Sequence, residues 1–244
     1  MGIDIGVDEA GRGPAIGPLV VCALSVPTED REILEEIGVD DSKKIGKKER
    51  ERVFRKISGL RESRGWGLGI VVCKPARIDE WMENGTLNSL EVELFSEAIN
   101  RADRPTSSTR LVLDACDVDP IRFGTNVLSA LGRSWNCCEI VSEHKMDSSD
   151  IVVGAASIVA KITRDLEIEK LSEEIGIDLG SGYPSDRKTV LAIEVLCQSD
   201  EPHEALRWKW ANVRNSWTKT NNKTMPKRKS ENEINKQTYL SDWE

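Results

Sequence analysis

The sequence predicts an α/β protein: a mixed five-stranded sheet flanked by helices, with a small C-terminal helical extension and a polar tail beyond it. Three observations carry this. Ile3, Ile5 and Val7 alternate with Asp4, Gly6 and Asp8, which is the period of a strand. Only the turn AGRGPAIG separates that strand from a Val- and Leu-rich run at 18–26, so the chain returns as a hairpin. After a third apolar run at 66–73, short apolar segments at 110–113 and 137–141 alternate with helical patterns. Parallel neighbours need such helical crossovers, so the sheet is expected to be antiparallel on one side and parallel on the other.

The remaining elements follow in order. Helical patterns occupy 29–37 and 46–57. Asn84-Gly85 is a turn signal, and Thr86 caps a helix over 87–101 that carries Leu87, Leu90, Leu94 and Ile99 on one face. The stretch RADRPTSSTR reads as a loop, and Asp119-Pro120 as an N-cap followed by proline at the first helical position. A long helix with an Ala/Ser/Val/Ile face is predicted over 148–175, then the loop GIDLGSGYPSD, then helices over 187–197 and 203–217. From Thr218 the chain is polar and nearly without core residues, which predicts disorder. The expected division is a core of residues 1–186, a helical subdomain of 187–217 and a disordered tail of 218–244.

With 39% hydrophobic and 31% charged residues, the chain can bury a real core. No apolar run approaches the about 20 residues of a membrane span, and no basic segment precedes an apolar one at the N-terminus. The six cysteines form no Cys-x-x-Cys and only two histidines accompany them, which argues against zinc and for reduced thiols in a cytoplasmic protein. Net charge is -8, but residues 43–56 carry Lys43, Lys44, Lys47, Lys48, Arg50, Arg52, Arg55 and Lys56 against only Glu49 and Glu51. On charge alone that run reads first as a solvated helix face.

The chemistry lies in acids at strand ends. Asp8 and Glu9 close the first strand, Asp114 the fourth, and Asp147 follows the fifth. One such aspartate is ordinarily a turn or cap residue; the recurrence gives the pattern its weight. If these ends lie side by side, the carboxylates repel one another and require hard divalent cations, Mg²⁺ or Mn²⁺. Two such ions about 4 Å apart are one solution to phosphodiester hydrolysis. Gly11-Arg12-Gly13 is not a dinucleotide loop, because the third glycine, Gly17, comes one residue late and the turn runs into a strand. Asp114, Asp117 and Asp119 lack the glycine and glutamate of a calcium loop. What remains is a glycine turn that a ligand can approach closely, with an arginine to bind an anion.

Together these motifs resemble ribonuclease HII of the archaeal type. VDEAGRGP, DSKK at 41–44, LDACDVD at 113–119, EHKMD at 143–147, AASIVAKITRD at 155–165 and GSGYPSD at 180–186 match its signatures in order, over roughly residues 3–217. The resemblance implies a ribonuclease H-like fold and a quartet of Asp8, Glu9, Asp114 and Asp147 holding two metal ions. It implies that Gly11, Arg12 and Gly13 grip the ribose 2′-hydroxyl, and that Tyr183 stacks on the deoxyribose just 3′ of the ribonucleotide. Lys43 and Lys44 would bind phosphates, and Lys161, Arg164 and Asp165 would support the site or touch substrate. Met146 and Cys116 depart from the usual pattern without removing a ligand. The implied reaction is endonucleolytic hydrolysis of RNA in RNA–DNA hybrids, and 5′ of ribonucleotides embedded in duplex DNA, leaving 3′-hydroxyl and 5′-phosphate ends.

The chain ends QTYLSDWE, where Gln237, Leu240 and Trp243 resemble a sliding-clamp-binding box, with Glu244 in place of a second aromatic. A polar tether presenting two apolar plugs suits a clamp groove. Two rival readings are a junction-resolving nuclease of the same fold and a non-catalytic adaptor. Arg12 and Tyr183 argue against the first. The four carboxylates argue against the second, because a pure phosphate binder would avoid them. A monomer is expected.

Overall fold

The computed structural model describes residues 2–39 and 46–228; Lys43, Lys44, Gln237, Leu240 and Trp243 lie outside them. Five strands, β1 (Ile3–Ala10), β2 (Leu19–Pro27), β3 (Gly67–Cys73), β4 (Thr109–Asp114) and β5 (Glu139–Glu143), form one sheet in the order β3-β2-β1-β4-β5. The β1/β2 and β2/β3 pairs are antiparallel, and β1/β4 and β4/β5 are parallel, as the strand order in the sequence predicts. The central strand β1 therefore has a tight-turn neighbour on one side and a crossover neighbour on the other.

Eight α-helices complete the described fold: α1 (Arg31–Glu36), α2 (Lys47–Arg64), α3 (Pro75–Trp81), α4 (Leu87–Ala102), α5 (Pro120–Leu131), α6 (Ile151–Ile175), α7 (Arg187–Leu196) and α8 (Ala211–Asn221). On one sheet face, Leu90, Leu94 and Phe95 of α4 and Phe123 and Val127 of α5 pack with Ile5, Val7, Leu111 and Leu113. On the other, Val152, Ala155, Ala156 and Val159 of α6 pack with Val20, Cys22 and Leu24. Each fully buried side chain of this kind contributes about 1.5–3 kcal/mol. Gly6 sets how closely α6 approaches: a Cβ there would stand 2.5 Å from the Val152 carbonyl carbon. Among the described residues no helix is long and apolar enough to cross a membrane.

Thr86 and Asp119 cap α4 and α5 as expected, accepting from the backbone N–H of Ser89 and Arg122. Other elements differ. The 29–37 pattern divides into a 3₁₀ turn, Thr28–Asp30, and the short α1. Helix α3 was not expected, and α2 runs on to Arg64. The predicted helix over 203–217 begins only at Ala211. Residues before it spend their backbone groups elsewhere: Gly17 N–H donates to Ala205 O (2.9 Å) and Arg207 N–H to Ala15 O (2.9 Å). Residues 218–228, expected to be disordered, are placed. Helix α8 continues to Asn221, and Arg228 donates to Asp79 (3.1 Å) and to the Leu206 carbonyl (2.6 Å) while lying over the Trp208 ring. The apolar cluster around α7 and α8 includes Ala15, Ile16 and Ile168, so the C-terminal helices are packed onto the turn after β1 and onto α6.

Candidate active site

Asp8 and Glu9 lie within β1, paired with Cys22 and Val21 of β2, and not at its end. Successive strand residues point to opposite faces. Glu9 follows Ile5 and Val7 toward α4, and Asp8 follows Gly6 toward α6. In β4 the same alternation puts Asp114 on the face of Val112, which packs with Met146 and Val153. Ligand oxygens of Asp8, Asp114 and Asp147 all lie within 4.8 Å of one another. Glu9 falls into an adjoining group, its oxygen within 4.8 Å of Glu91 and the Cys116 sulfur.

Local backbone delivers Asp147. Lys145 adopts a left-handed conformation, φ 62°, after β5. Its N–H donates to Asp114 Oδ1 at 2.8 Å, and the Met146 and Asp147 amides also bond the Asp114 carboxylate. Consecutive amides of this kind make an anion-binding nest. Helix α6 adds Ser157, Lys161 and Arg164, spaced four and three residues apart on one face. The Ser157 hydroxyl bonds the Asp8 carboxylate. Lys161 Nζ donates to Ser157 Oγ (2.7 Å) and stands 3.9 Å from Asp147.

Burial pushes the Asp8 carboxyl well above its ordinary value, and the neighbouring Glu9 and Asp114 charges push the same way. Burial, then Glu91, lifts Glu9 to about 7. Asp114 is raised by burial and by Asp147, against the pull of its three amides. Such a set is short of positive charge. Its three converging carboxylates are an all-oxygen donor group of the kind that hard divalent ions prefer, so the residues fit a metal centre. Burial, with Glu9 beside it, holds the Cys116 thiol in its protonated form.

The turn after β1 is held from behind. Gly11 has φ 92°, and a Cβ there would stand 2.7 Å from the Pro18 carbonyl oxygen, so only glycine fits. Arg207, fully buried, donates to the carbonyls of Gly11 (2.6 Å), Arg12 (2.9 Å) and Gly17 (3.0 Å). Ala15 N–H donates to Gly182 O at 2.8 Å, joining the turn to the GYPSD loop. Arg12 pairs with Glu91 and donates to Asn88 Oδ1 at 2.7 Å. Tyr183 is 38% exposed across from Gly13, and the Arg164 guanidinium lies 5.0 Å from its ring centroid. Glu9, Arg12, Gly13, Lys161, Arg164 and Tyr183 share the walls of one cleft of about 600 Å³.

The structure thus gathers Glu9, Gly11, Arg12, Gly13 and Tyr183 along one cleft, and Asp8, the chain neighbour of Glu9, with Asp114 and Asp147 in a carboxylate cluster. Sequence reasoning missed Asn88, Glu91, Ser157 and Arg207. Glu91 carried a weak signal, an acid directly after Leu90 and three residues before Leu94 on an apolar face. Arg207 carried none, since its partners are more than 180 residues away.

A mixed five-stranded sheet with acidic side chains on its adjacent parallel strands defines a ribonuclease H-like nuclease core. The Ribonuclease HII family model matches residues 5–213. The Ribonuclease HII of Pyrococcus furiosus is 45% identical over 184 residues, which is 75% of this chain and 77% of the relative. The crystal structure of ribonuclease H2 from Pyrococcus horikoshii OT3 superposes with a TM-score of 0.79 at 35% identity, covering 91% of this chain and all of that one. A PCNA:RNase HII complex from Archaeoglobus fulgidus contains a chain with TM-score 0.73 and 34% identity, with 85% and 95% covered. The chain belongs to the ribonuclease HII family. It is an endonuclease that acts on the RNA of RNA–DNA hybrids.

Proposed function

We propose that the chain also cuts duplex DNA on the 5′ side of single embedded ribonucleotides, leaving 3′-hydroxyl and 5′-phosphate ends, with Asp8, Glu9, Asp114 and Asp147 holding two divalent ions, Mg²⁺ or Mn²⁺. The observation that carries this reading is the placement of the Asp8, Asp114 and Asp147 carboxylates beside a turn, Gly11-Arg12-Gly13, only three residues beyond Asp8. When bound, the ions supply Lewis acidity for attack of water on phosphorus and departure of the 3′-oxygen.

The protein's own groups do the rest. The turn, pinned by Arg207, offers backbone amides and the Arg12 guanidinium to the 2′-hydroxyl, the one group that separates RNA from DNA at a given nucleotide. Tyr183 stacks on the next deoxyribose and so registers an RNA–DNA junction. Lys43 and Lys44 bind phosphates. Lys161 holds Ser157 against Asp8 and tempers the carboxylate field. Because recognition and cutting share β1 and its turn, the cut falls at the nucleotide being read. For the tail, the Archaeoglobus complex supports a partner of the sliding-clamp type, bound through Gln237, Leu240 and Trp243.

A duplex DNA with one ribonucleotide, incubated with and without Mg²⁺ or Mn²⁺, tests the central reading. Metal-dependent scission 5′ of the ribonucleotide is expected. Cleavage of plain DNA, or cleavage of hybrids only, would refute it. Titration of a 230–244 peptide against the clamp tests the tail, and absence of binding would retire that role.

A further inference from the structure

We infer that Glu91 is a positioning residue that fixes the Arg12 guanidinium against α4 and keeps its positive charge off the proposed metal ligands. This rests on the proposed roles of Arg12 in sugar recognition and of Glu9 in metal binding.

Glu91 is 0% exposed, set among Leu90, Leu94 and Phe95 of the α4 core face. A carboxylate in such a place is costly unless paired, and an apolar residue would serve the packing better. Its partner is Arg12, whose Nη1 bonds Glu91 Oε2. Asn88, three residues earlier on α4, accepts from the other terminal nitrogen of the same guanidinium at 2.7 Å. One rigid helix thus brackets a planar fork from two positions, a geometry that leaves the fork little freedom. The second Glu91 oxygen, Oε1, is buried and has no hydrogen-bond partner. A Glu91 ligand oxygen lies within 4.8 Å of both Glu9 and Cys116, so the residue faces recognition and metal groups together.

The need for such a bracket follows from charge. Arg12 is a long, permanently charged side chain three residues from Glu9 and four from Asp8. Free to swing, it would settle on those carboxylates and compete with the divalent ions. Held by Glu91 and Asn88, it stays on the sugar side of the cleft, 36% exposed.

The test compares the full chain with Glu91→Gln, Arg12→Ala and the double variant, reading kcat and KM on the single-ribonucleotide duplex and the midpoint of Mg²⁺ binding to the substrate-free protein by calorimetry. Loss of a charge-assisted hydrogen bond predicts a KM rise of about tenfold in Glu91→Gln and a higher Mg²⁺ midpoint. Because Glu91 acts through Arg12, the double variant should be within about twofold of Arg12→Ala in KM. Parental KM and Mg²⁺ midpoint in Glu91→Gln, or defects that multiply in the double variant, overturn the inference. Parental kinetics in Arg12→Ala instead overturn the recognition role itself. If Glu91→Gln does not fold, Asn88→Ala removes the other half of the bracket. It should also raise KM without adding to Arg12→Ala, and parental KM in it overturns the bracket.

Discussion

Arg207 Nη2 donates a 2.6 Å hydrogen bond to the carbonyl of Gly11, 196 residues earlier in the chain. The same guanidinium holds two more carbonyls of the turn, and burial brings its pKa down to about 10. The turn proposed to read substrate is therefore shaped by a residue from the far end of the fold.

Replacing Arg207 by Met should leave three turn carbonyls without donors. At about 1–3 kcal/mol for each buried unsatisfied group, with partial overlap, a loss of about 3 kcal/mol or more in urea unfolding is expected. Arg207→Lys can restore only part of it, because an ammonium lacks the planar fork. Equal stability of parent and Arg207→Met would show that the turn is held without it.

Gly11→Ala should fail for a local reason. The φ of 92° and the 2.7 Å approach to the Pro18 carbonyl both exclude a Cβ. Strain of about 1–3 kcal/mol is expected, seen as a lowered Tm, with a larger loss of hybrid cleavage as the turn shifts.

Asp8→Asn and Asp114→Asn should each reduce cleavage by more than the roughly 10–100-fold typical of an outer-sphere metal partner. The metal-free proteins should nevertheless be at least as stable as the parent at pH 8, because each substitution removes a carboxylate that burial and its neighbours disfavour. Tm with and without Mg²⁺ checks this: the parent gains stability with the ion, the variants gain less. Full turnover in Asp114→Asn would remove that residue from the metal site.

The pH dependence of the metal-free protein has a defined sign. Glu9 ordinarily titrates near 4.5 and in the fold near 7. The folded state holds a proton that the unfolded chain releases, so the contribution of Glu9 is fully present below pH 4.5 and is lost as pH rises through 7. Asp8 and Asp114 act in the same direction. In EDTA, these groups should therefore lower unfolding free energy between pH 5 and pH 8. Added Mg²⁺ should stabilise more at pH 8 than at pH 6, where protons compete for the same oxygens. A Mg²⁺-induced Tm shift independent of pH would contradict this.

What the sequence determined alone is local or repetitive. The alternation of Ile3, Ile5 and Val7, the hairpin through AGRGPAIG and the caps at Thr86 and Asp119 are properties of neighbouring residues, and each is found in the fold. Asp8, Asp114 and Asp147 could be read as a group because each sits at the equivalent point of a strand or just past one. Tertiary structure decided what depends on remote partners. The segment 203–210 has helical composition but is irregular, since its backbone groups bond the turn at Ala15–Gly17. Lys145 takes a left-handed conformation that no residue type there signals, because the nest around Asp114 requires it. Strand alternation, which the sequence contains, separates Asp8 from Glu9 onto two faces; only the packing of α6 and α4 shows that Ser157 awaits one and Glu91 the other. Neighbour interactions are written along the chain, whereas the partners of a buried charge are chosen by how distant elements stack.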